Sequence, residues 1–482
     1  MRRGINSFLV VCMILWQGSV TNIHAQMQDS LLMLSESQYL AIIRNFHPYL
    51  QQAGLAVKQA KAAVRESRGA FDPVLGTGFE RKTFDDKLYY SYFNPEITIP
   101  TWYGIELFGG AEEVLGDRVT PEKTMGQSSY LGISVPLGKD LVLDKRRAVL
   151  RQSRVILQQT RAEQRNMAND LIQEALVAYW NWVKQYQVYR ILKQAVEVNA
   201  DRYRYIRIEA EQGLRAAIDT TEALTQLQQF QLSESEAGLA FLNAGLELSN
   251  FLWLDEKDVF AWSNRIIPDT TWVNEQGWIT EIPALDEFVT SARMEHPKLQ
   301  SYRYKLDVLD IEKRLKFQSL LPKMDLKYNL INKGYNALNK VDGAFLQNNY
   351  KFGFDFQMPL FLRQGRGAYQ QSLIKIRQSN LELDQVQWEI ENKIRNYYNE
   401  LMALRNQINI YENAYRNYQR LFRAEELRFK IGESTLFLLN SRENKMLEAQ
   451  QKLLDLKTKW YKSQAGLLWA GGRLGIPVLD TE

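Results

Sequence analysis

The sequence is poor in the residues that build redox and metal chemistry. Its 482 residues hold one cysteine, Cys12, and three histidines, His24, His47 and His296. Cys12 lies in an opening segment that reads as a secretory leader: Arg2 and Arg3 form a charged start, Ser7 to Trp16 an apolar stretch, and Ala25 precedes Gln26. Val11 is bulkier than the small residue that precedes a lipid-attachment cysteine, so Cys12 is not read as an anchor. The mature chain, from Gln26 onward, therefore has no disulfide, no thiolate nucleophile and no Cys-containing metal site. An excess of one charge is also lacking. Sixty Lys and Arg against 56 Asp and Glu leave a net +4, which argues against nucleic acid as a partner. No run of 18 or more apolar residues follows position 25, so a membrane-spanning helix is excluded and only strands are left to cross a bilayer. The motifs GxSxG, GxxxxGK[ST] and HExxH are absent. These gaps point away from an enzyme, with no catalytic residue, no cofactor and no metal expected.

Proline is missing where it matters most. All twelve prolines lie outside two windows, Pro136 to Pro268 and Pro359 to Pro477, which are free to form very long helices. In the second window apolar residues recur at Leu383, Val386, Ile390, Ile394, Tyr397, Leu401, Leu404, Ile408, Tyr411, Tyr415, Tyr418 and Phe422. The steps alternate between 3 and 4, a seam of period about 3.5 that calls for coiled-coil packing. The first window carries a similar seam through Leu171, Ala175, Tyr179, Trp182, Tyr186, Tyr189, Val196, Tyr203 and Ile206. A helix from about Asp144 to Glu211 would span roughly 100 Å. One glycine interrupts each window, Gly213 and Gly432, and helical pattern resumes a few residues later. Each window is thus expected to fold as two antiparallel helices, the returning arms being about Asp219–Trp253 and Leu436–Leu474.

Around these windows lie segments of alternating apolar and polar residues: 73–79, Tyr130 to Pro136, Met324 to Leu330 and Tyr350 to Phe356. Alternation suits strands with one apolar and one wet face, as in a lipid-facing barrel wall or a half-buried soluble sheet. Their order repeats. His47-Pro48 recurs as His296-Pro297 and Pro73 as Pro322, both at an offset of 249, while Pro136 pairs with Pro359, Ala148 with Ala368 and Gly213 with Gly432 at offsets of 223, 220 and 219. The halves read as copies of one plan: helix, strand, strand, long helix, glycine tip, returning helix. Pro73 to Pro136 spans 63 residues and Pro322 to Pro359 only 37, so the first copy carries 26 more between its strands. This excess, around Asn94 to Leu107, reads as an added hairpin, either an external loop or a lengthened barrel wall. Domains are accordingly set as leader 1–25, first repeat 26–253 with strands about 74–136, connecting equatorial segment 254–283, second repeat 284–475 with strands about 323–358, and tail 476–482.

The duplicated His-Pro, the proline before the first strand, the run Pro359-Leu360-Phe361 with Gly365 and Ala368, and the two glycine tips together resemble the TolC-like outer membrane efflux proteins. The resemblance implies a mixed α and β fold: a long α-helical coiled-coil tunnel plus a transmembrane β-barrel shared by a homotrimer, each chain giving four strands. It implies an outer-membrane channel of a tripartite efflux pump or type I secretion system in a Gram-negative cell, conducting substrate passively. The implied partners are a periplasmic adaptor (membrane fusion) protein, an inner-membrane pump and outer membrane lipid. The competing reading is a soluble periplasmic coiled-coil adaptor or scaffold.

Within the resemblance the tips are the expected docking and entrance site, with Gly213, Leu214, Asp219 and Glu222 in the first and Gly432, Thr435 and Leu438 in the second. Asp219, six residues after Gly213, is either part of an acidic ring in a trimer or an acid at a helix start, where the dipole favours it. Leu438 stands where the second tip would carry the matching acid. His47 and His296 are assigned to helix starts before proline rather than to metal or acid–base work. Lys139, Lys145, Arg146, Arg147, Arg363 and Arg366, which follow the last strand of each copy, are read as solvated charges at a helix start or as lipid-phosphate contacts. Tyr89, Tyr90, Tyr92, Phe93, Trp102 and Tyr103 are candidates for an interfacial aromatic girdle. Trp262, Trp272 and Trp278 fall in the connecting segment, expected to form a belt with the C-terminus.

Overall fold

The computed structural model describes residues 32–120, 123–253, 265–270, 284–335 and 349–475. The leader, the tail and the three tryptophans of the connecting segment lie outside them. Two units emerge, each drawing on both halves of the chain. Of the described residues, one gathers those in 32–50, 170–285 and 395–469; the other takes those in 51–169, 286–394 and 470–475.

The elements in chain order are β1 (Leu32–Leu34), α1 (Glu36–Phe46), α2 (Pro48–Gly69), β2 (Val74–Phe84), β3 (Lys87–Pro100), β4 (Glu106–Leu115), β5 (Gly126–Pro136), α3 (Lys145–Glu211), α4 (Ala217–Ser249), β6 (Ile266–Pro268), α5 (Leu285–Glu295), α6 (Pro297–Gln318), β7 (Lys323–Lys333), β8 (Tyr350–Gln357), α7 (Arg363–Lys430) and α8 (Leu436–Ala470). The proline-free windows form α3 and α7, of 67 and 68 residues, each followed by a returning helix. None of the helices is apolar enough over sufficient length to cross a membrane among the described residues.

In the first unit the seam residues of α3 are buried, with Ala175 and Trp182 fully covered and Leu171 and Tyr179 nearly so. They pack with Phe241 and Leu248 of α4, Leu454 of α8, and Tyr39 and Ile43 of α1. Aromatic contacts give this core its geometry. Tyr39 stacks on Tyr179 at 5.5 Å and Trp180 on Tyr461 at 3.9 Å. The Tyr179 hydroxyl donates to the Leu34 carbonyl (3.1 Å), so the wide aromatic layer ends on a satisfied polar atom beside the parallel β1–β6 pair. Leu401, Leu404 and Ile408 continue the α7 seam as buried side chains, whereas Tyr411, Tyr415, Tyr418 and Phe422 are half-buried.

The second unit contains one antiparallel sheet of six strands in the order β2-β3-β4-β5-β7-β8. The resemblance implies four strands, and the two more are the added hairpin that the excess residues were read as. The excess residues of the first half form β3 and β4, which lie between β2 and β5 and pair along most of their length on both sides. The ladder between β3 and β4 skips Asn94 and Pro95. Proline has no N–H to give, so its strand bonds fully only toward β2, where Thr77 faces Pro95.

Residues opposite one another in a ladder share a face, and the register sorts this sheet into a mainly apolar and a mainly polar face, the latter also holding Phe108, Val114 and Ile331. One face carries Leu75 and Phe79, then Phe93, Ile97 and Ile99, then Leu107, Leu131 and Ile133, then Leu326, Tyr328 and Leu330, then Tyr350, Phe352, Phe354 and Phe356. The other carries Glu80, Lys82, Tyr92, Asn94, Glu96, Glu106, Glu112, Tyr130, Asp325, Lys327, Lys351 and Asp355. The apolar face is bare: Leu75 is 79% exposed, Phe79 67% and Phe352 59%. Its charged and amide members, Arg81, Glu113, Gln127 and Asn332, collect near one end of the strands.

The six aromatics expected as a girdle divide instead. Tyr90 and Tyr92 lie on the polar face and Phe93 on the apolar one, while Trp102 stacks on Phe71 at 4.3 Å. Alternation along one strand sends successive rings to opposite faces, so a run of aromatics cannot form a single belt. Arg146 and Arg147 also depart from both readings given to them. The Thr101–Ile105 turn that joins β3 to β4 is closed by Thr101 N–H and Oγ1, both donating to the Ile105 carbonyl (2.9 and 2.7 Å). Arg147, only 8% exposed, donates to the carbonyls of Tyr103 (3.3 Å), Asp140 (2.5 Å) and Leu141 (3.0 Å), and Asp144 accepts its backbone N–H and pairs with its guanidinium. Arg146 pairs with Glu106 at 2.7 Å. These arginines clamp the added hairpin to the start of α3.

Candidate functional site at the helical tips

Both tips are built by the same turn. At the first, Gly213 adopts φ +75°, its N–H bonds the Ala210 carbonyl (3.0 Å), and Leu214 N–H bonds Glu209 (2.9 Å). At the second, Gly432 adopts φ +79°, its N–H bonds Phe429 (3.2 Å), and Glu433 N–H bonds Arg428 (2.9 Å). This is the Schellman ending of a helix, whose left-handed residue is tolerated best by glycine.

The helix starts that follow differ. Thr435 caps α8, its Oγ1 accepting from Leu438 N–H (3.3 Å). Ala216 stands at the matching place before α4 and supplies no side-chain cap. Asp219 lies in the first turn of α4, where its charge meets the positive end of the helix dipole without capping it. Leu214 at the first tip is 72% exposed, and Ile218 and Phe437 are comparably bare.

Beneath the turns a small apolar plug of Ile206, Ala223, Phe429, Leu436 and Leu439 joins the two hairpins. Arg215 lies over the Phe429 ring at 4.3 Å and pairs with Glu209. Ser434 Oγ donates to Glu425 (2.5 Å), which is itself buried. Further along, Arg202 of α3 holds Glu443 of α8 by two hydrogen bonds (2.5 and 3.1 Å) and also donates to Asn199 (2.9 Å) and Asn440 (3.3 Å). Asn440 in turn donates to Glu222 (3.3 Å), and Gln226 to Asn444 (2.8 Å). Burial raises the Glu222 carboxyl above the usual range, the Asn440 bond opposes the shift, and Asp219 nearby adds to it. An open groove of about 580 Å³ runs between α4 and α8 here, lined by Ile218, Thr221, Glu222, Phe437, Ser441 and Lys445 among others.

The sequence-selected residues therefore gather in one unit as two adjacent turns with Glu222 on the groove between their returning helices. Sequence reasoning missed Arg202, Asn199 and Glu443. Their signal was present: Asn199 and Glu443 occupy seam positions of α3 and α8, where a polar residue requires a partner. His47 and His296 each accept, through Nδ1, a backbone N–H of the helix that follows, from Tyr49 (3.2 Å) and Lys298 (3.1 Å). This is the capping work assigned to them.

Residues 289–473 match the Outer membrane efflux protein family. Among solved structures, the chain is similar to the Campylobacter jejuni CmeC outer membrane channel, with TM-score 0.63, 15% identity, and 92% of this chain and 87% of that one covered. The fold is that of the TolC-like outer membrane channels. The open state of the Neisseria gonorrhoeae MtrE outer membrane channel is similar to the same degree, with TM-score 0.63, 13% identity, and coverage of 91% and 88%. So is the outer membrane protein VceC from Vibrio cholerae, with TM-score 0.61, 14% identity, and coverage of 91% and 96%. No curated protein sequence matches. In this fold the long helices correspond to the helical tunnel of such channels and the six-stranded sheet to their β domain.

Proposed function

We propose that this chain is an outer-membrane channel of a tripartite efflux pump or type I secretion system, a passive duct whose β domain lies in the membrane and whose helices line a periplasmic tunnel. One observation carries the reading: the six-stranded sheet has an exposed apolar face whose charged and amide residues gather at one end, a charged opposite face, and two open edges, β2 and β8, every residue of which is exposed. Such a face has no place in water, and open edges have none in lipid, where each unpaired N–H and C=O costs several kcal/mol. Three copies joined edge to edge would close the wall, put the apolar face on lipid and leave the charged face lining water. A soluble adaptor has no use for that surface. The tips, with bare Leu214, Ile218 and Phe437, are the place for a periplasmic adaptor, behind which an inner-membrane pump would supply energy and choice of cargo. Asp219, repeated three times, would place carboxylates at the entrance.

The test is fractionation followed by cross-linking. The protein should sediment with outer membrane, require detergent, and run as a trimer that dissociates only on heating. Release by osmotic shock as a monomer would sink the proposal.

A further inference from the structure

The added hairpin β3–β4 has no counterpart among the described residues of the second half of the chain, and its position in the sheet has consequences. We propose that it is part of the membrane wall, so that the closed barrel has eighteen strands, three copies of six, in place of the twelve that four strands per copy would give. The inference rests on the channel reading above and adds to it the width of the exit. Barrel diameter grows roughly linearly with strand number, so this exit is about half again as wide as a twelve-stranded one, a bore suited to bulky cargo such as extended polypeptide.

Three observations carry it. First, β3 and β4 are interior members of the sheet, hydrogen-bonded on both sides, and not an excursion beyond it. Second, their faces continue those of their neighbours. Ile97 and Leu107 lie opposite Leu75 and Ile133 on the bare apolar face, at 42% and 40% exposure, whereas Glu96 and Glu112 lie on the charged one. A plug or cap in water would not match lipid-facing alternation in both strands. Third, the strands of the sheet are 8 to 14 residues long. That is the length that crosses an apolar band about 25 Å tall at the usual tilt. The Arg147 clamp on the Tyr103 carbonyl and the Arg146–Glu106 pair hold the lower turn of the hairpin at the start of α3, fixing it in the wall rather than above it.

The experiment uses the full chain with Cys12→Ser, so that each engineered thiol reports its own position. Single variants Ile97→Cys and Leu107→Cys on the added strands, and Leu131→Cys and Leu330→Cys on the flanking ones, are labelled with an environment-sensitive fluorophore. Each is reconstituted into phosphatidylcholine vesicles whose acyl chains carry a nitroxide quencher. Quenching at all four sites, with Glu112→Cys unquenched yet reactive to a charged maleimide from the aqueous side, is the expected result. Quenching at Leu131 and Leu330 alone would overturn the inference and leave the channel standing. Quenching at none would remove both. Width is read separately in planar bilayers, from the largest polyethylene glycol that enters through the external mouth. Deleting residues 87–115, which joins β2 to β5 through their loops at the same end, should lower the limiting polymer radius by about a third. An unchanged limit in a correctly assembled deletion variant would overturn the widening.

Discussion

The two halves of the chain follow one order of elements and part company at both extremes of it. Among the described residues the first half gives four strands to the six-stranded sheet and the second gives two, and the first tip ends in Ala216 with Asp219 just beyond, where the second has Thr435 as a cap and Leu438. Between these extremes the halves agree closely, down to the same glycine turn with the same pair of bonds. The seam and the turn are set by packing and backbone geometry, which leave little freedom. On the proposed reading the strands face lipid or water and the first turn of the returning helix faces a partner, and there the halves are free to diverge. Even the shared His-Pro element shows this. His47 is half-buried beside Phe251 and Trp253, whereas His296 is 5% exposed beneath Gly472.

The sharpest way to break the comparison is to cut the join between the halves. Arg202→Leu leaves the 4%-exposed Glu443 carboxylate without its guanidinium and should cost about 3–5 kcal/mol. It should show as a large fall in the heat needed to dissociate the assembled protein. The double variant with Glu443→Leu should recover much of the loss, and failure to recover would mean that the pair does more than satisfy itself. Smaller in effect is the contrast between the histidines. Burial, with Lys298 and Lys393 nearby, lowers His296 from 6.5 to about 4. The unfolded chain therefore binds more protons than the folded one between those values, and stability falls as pH drops from about 6.5 toward 4, by up to about 3 kcal/mol. His296→Asn keeps a side-chain acceptor for Lys298 N–H and should flatten that acid limb. The same change at His47, whose lowering by burial is less pronounced, should flatten it less.

The tips give the finer tests. Thr435→Ala should destabilise the second hairpin by about 1 kcal/mol, and Ala216→Thr should stabilise the first by a similar amount, both read from thermal dissociation. Asp219→Asn should shift stability by only a few tenths of a kcal/mol through the helix dipole. Its proposed effect is on ion passage: reversal potential across a salt gradient in planar bilayers should move toward lower cation preference. No change there would leave Asp219 as a helix-start residue only.

Much of this molecule was legible in the sequence because its rules are periodic. The absence of proline and the alternation of 3 and 4 placed α3 within one residue of its observed start at Lys145, and the two glycines located both turns. The added strands were harder to read. Pro95 and Pro100 argue for loop, and only the sheet register shows that Pro95 lies where its missing N–H is not called upon. Arg147 was unreadable for a different reason. A buried arginine at a helix start looks like a solvated one until its carbonyl partners, 103, 140 and 141, are brought to it by the turn between β3 and β4. The Arg202–Glu443 pair was readable in principle, since a charge on a coiled-coil seam asks for a partner on the facing helix.

The even number of strands in the sheet carries a constraint on how such a wall can change. Because β2 and β8 are separated by an even count, they run in opposite directions, and in the proposed ring the last strand of one copy would meet the first of the next in the same antiparallel sense as every internal pair. Adding one strand would reverse β8 and force a parallel joint between copies, with its chain ends on the wrong side of the membrane. Parity therefore makes the hairpin the smallest unit of growth. On that reading such a wall widens only in steps of two strands per copy, which in the proposed ring of three copies makes six.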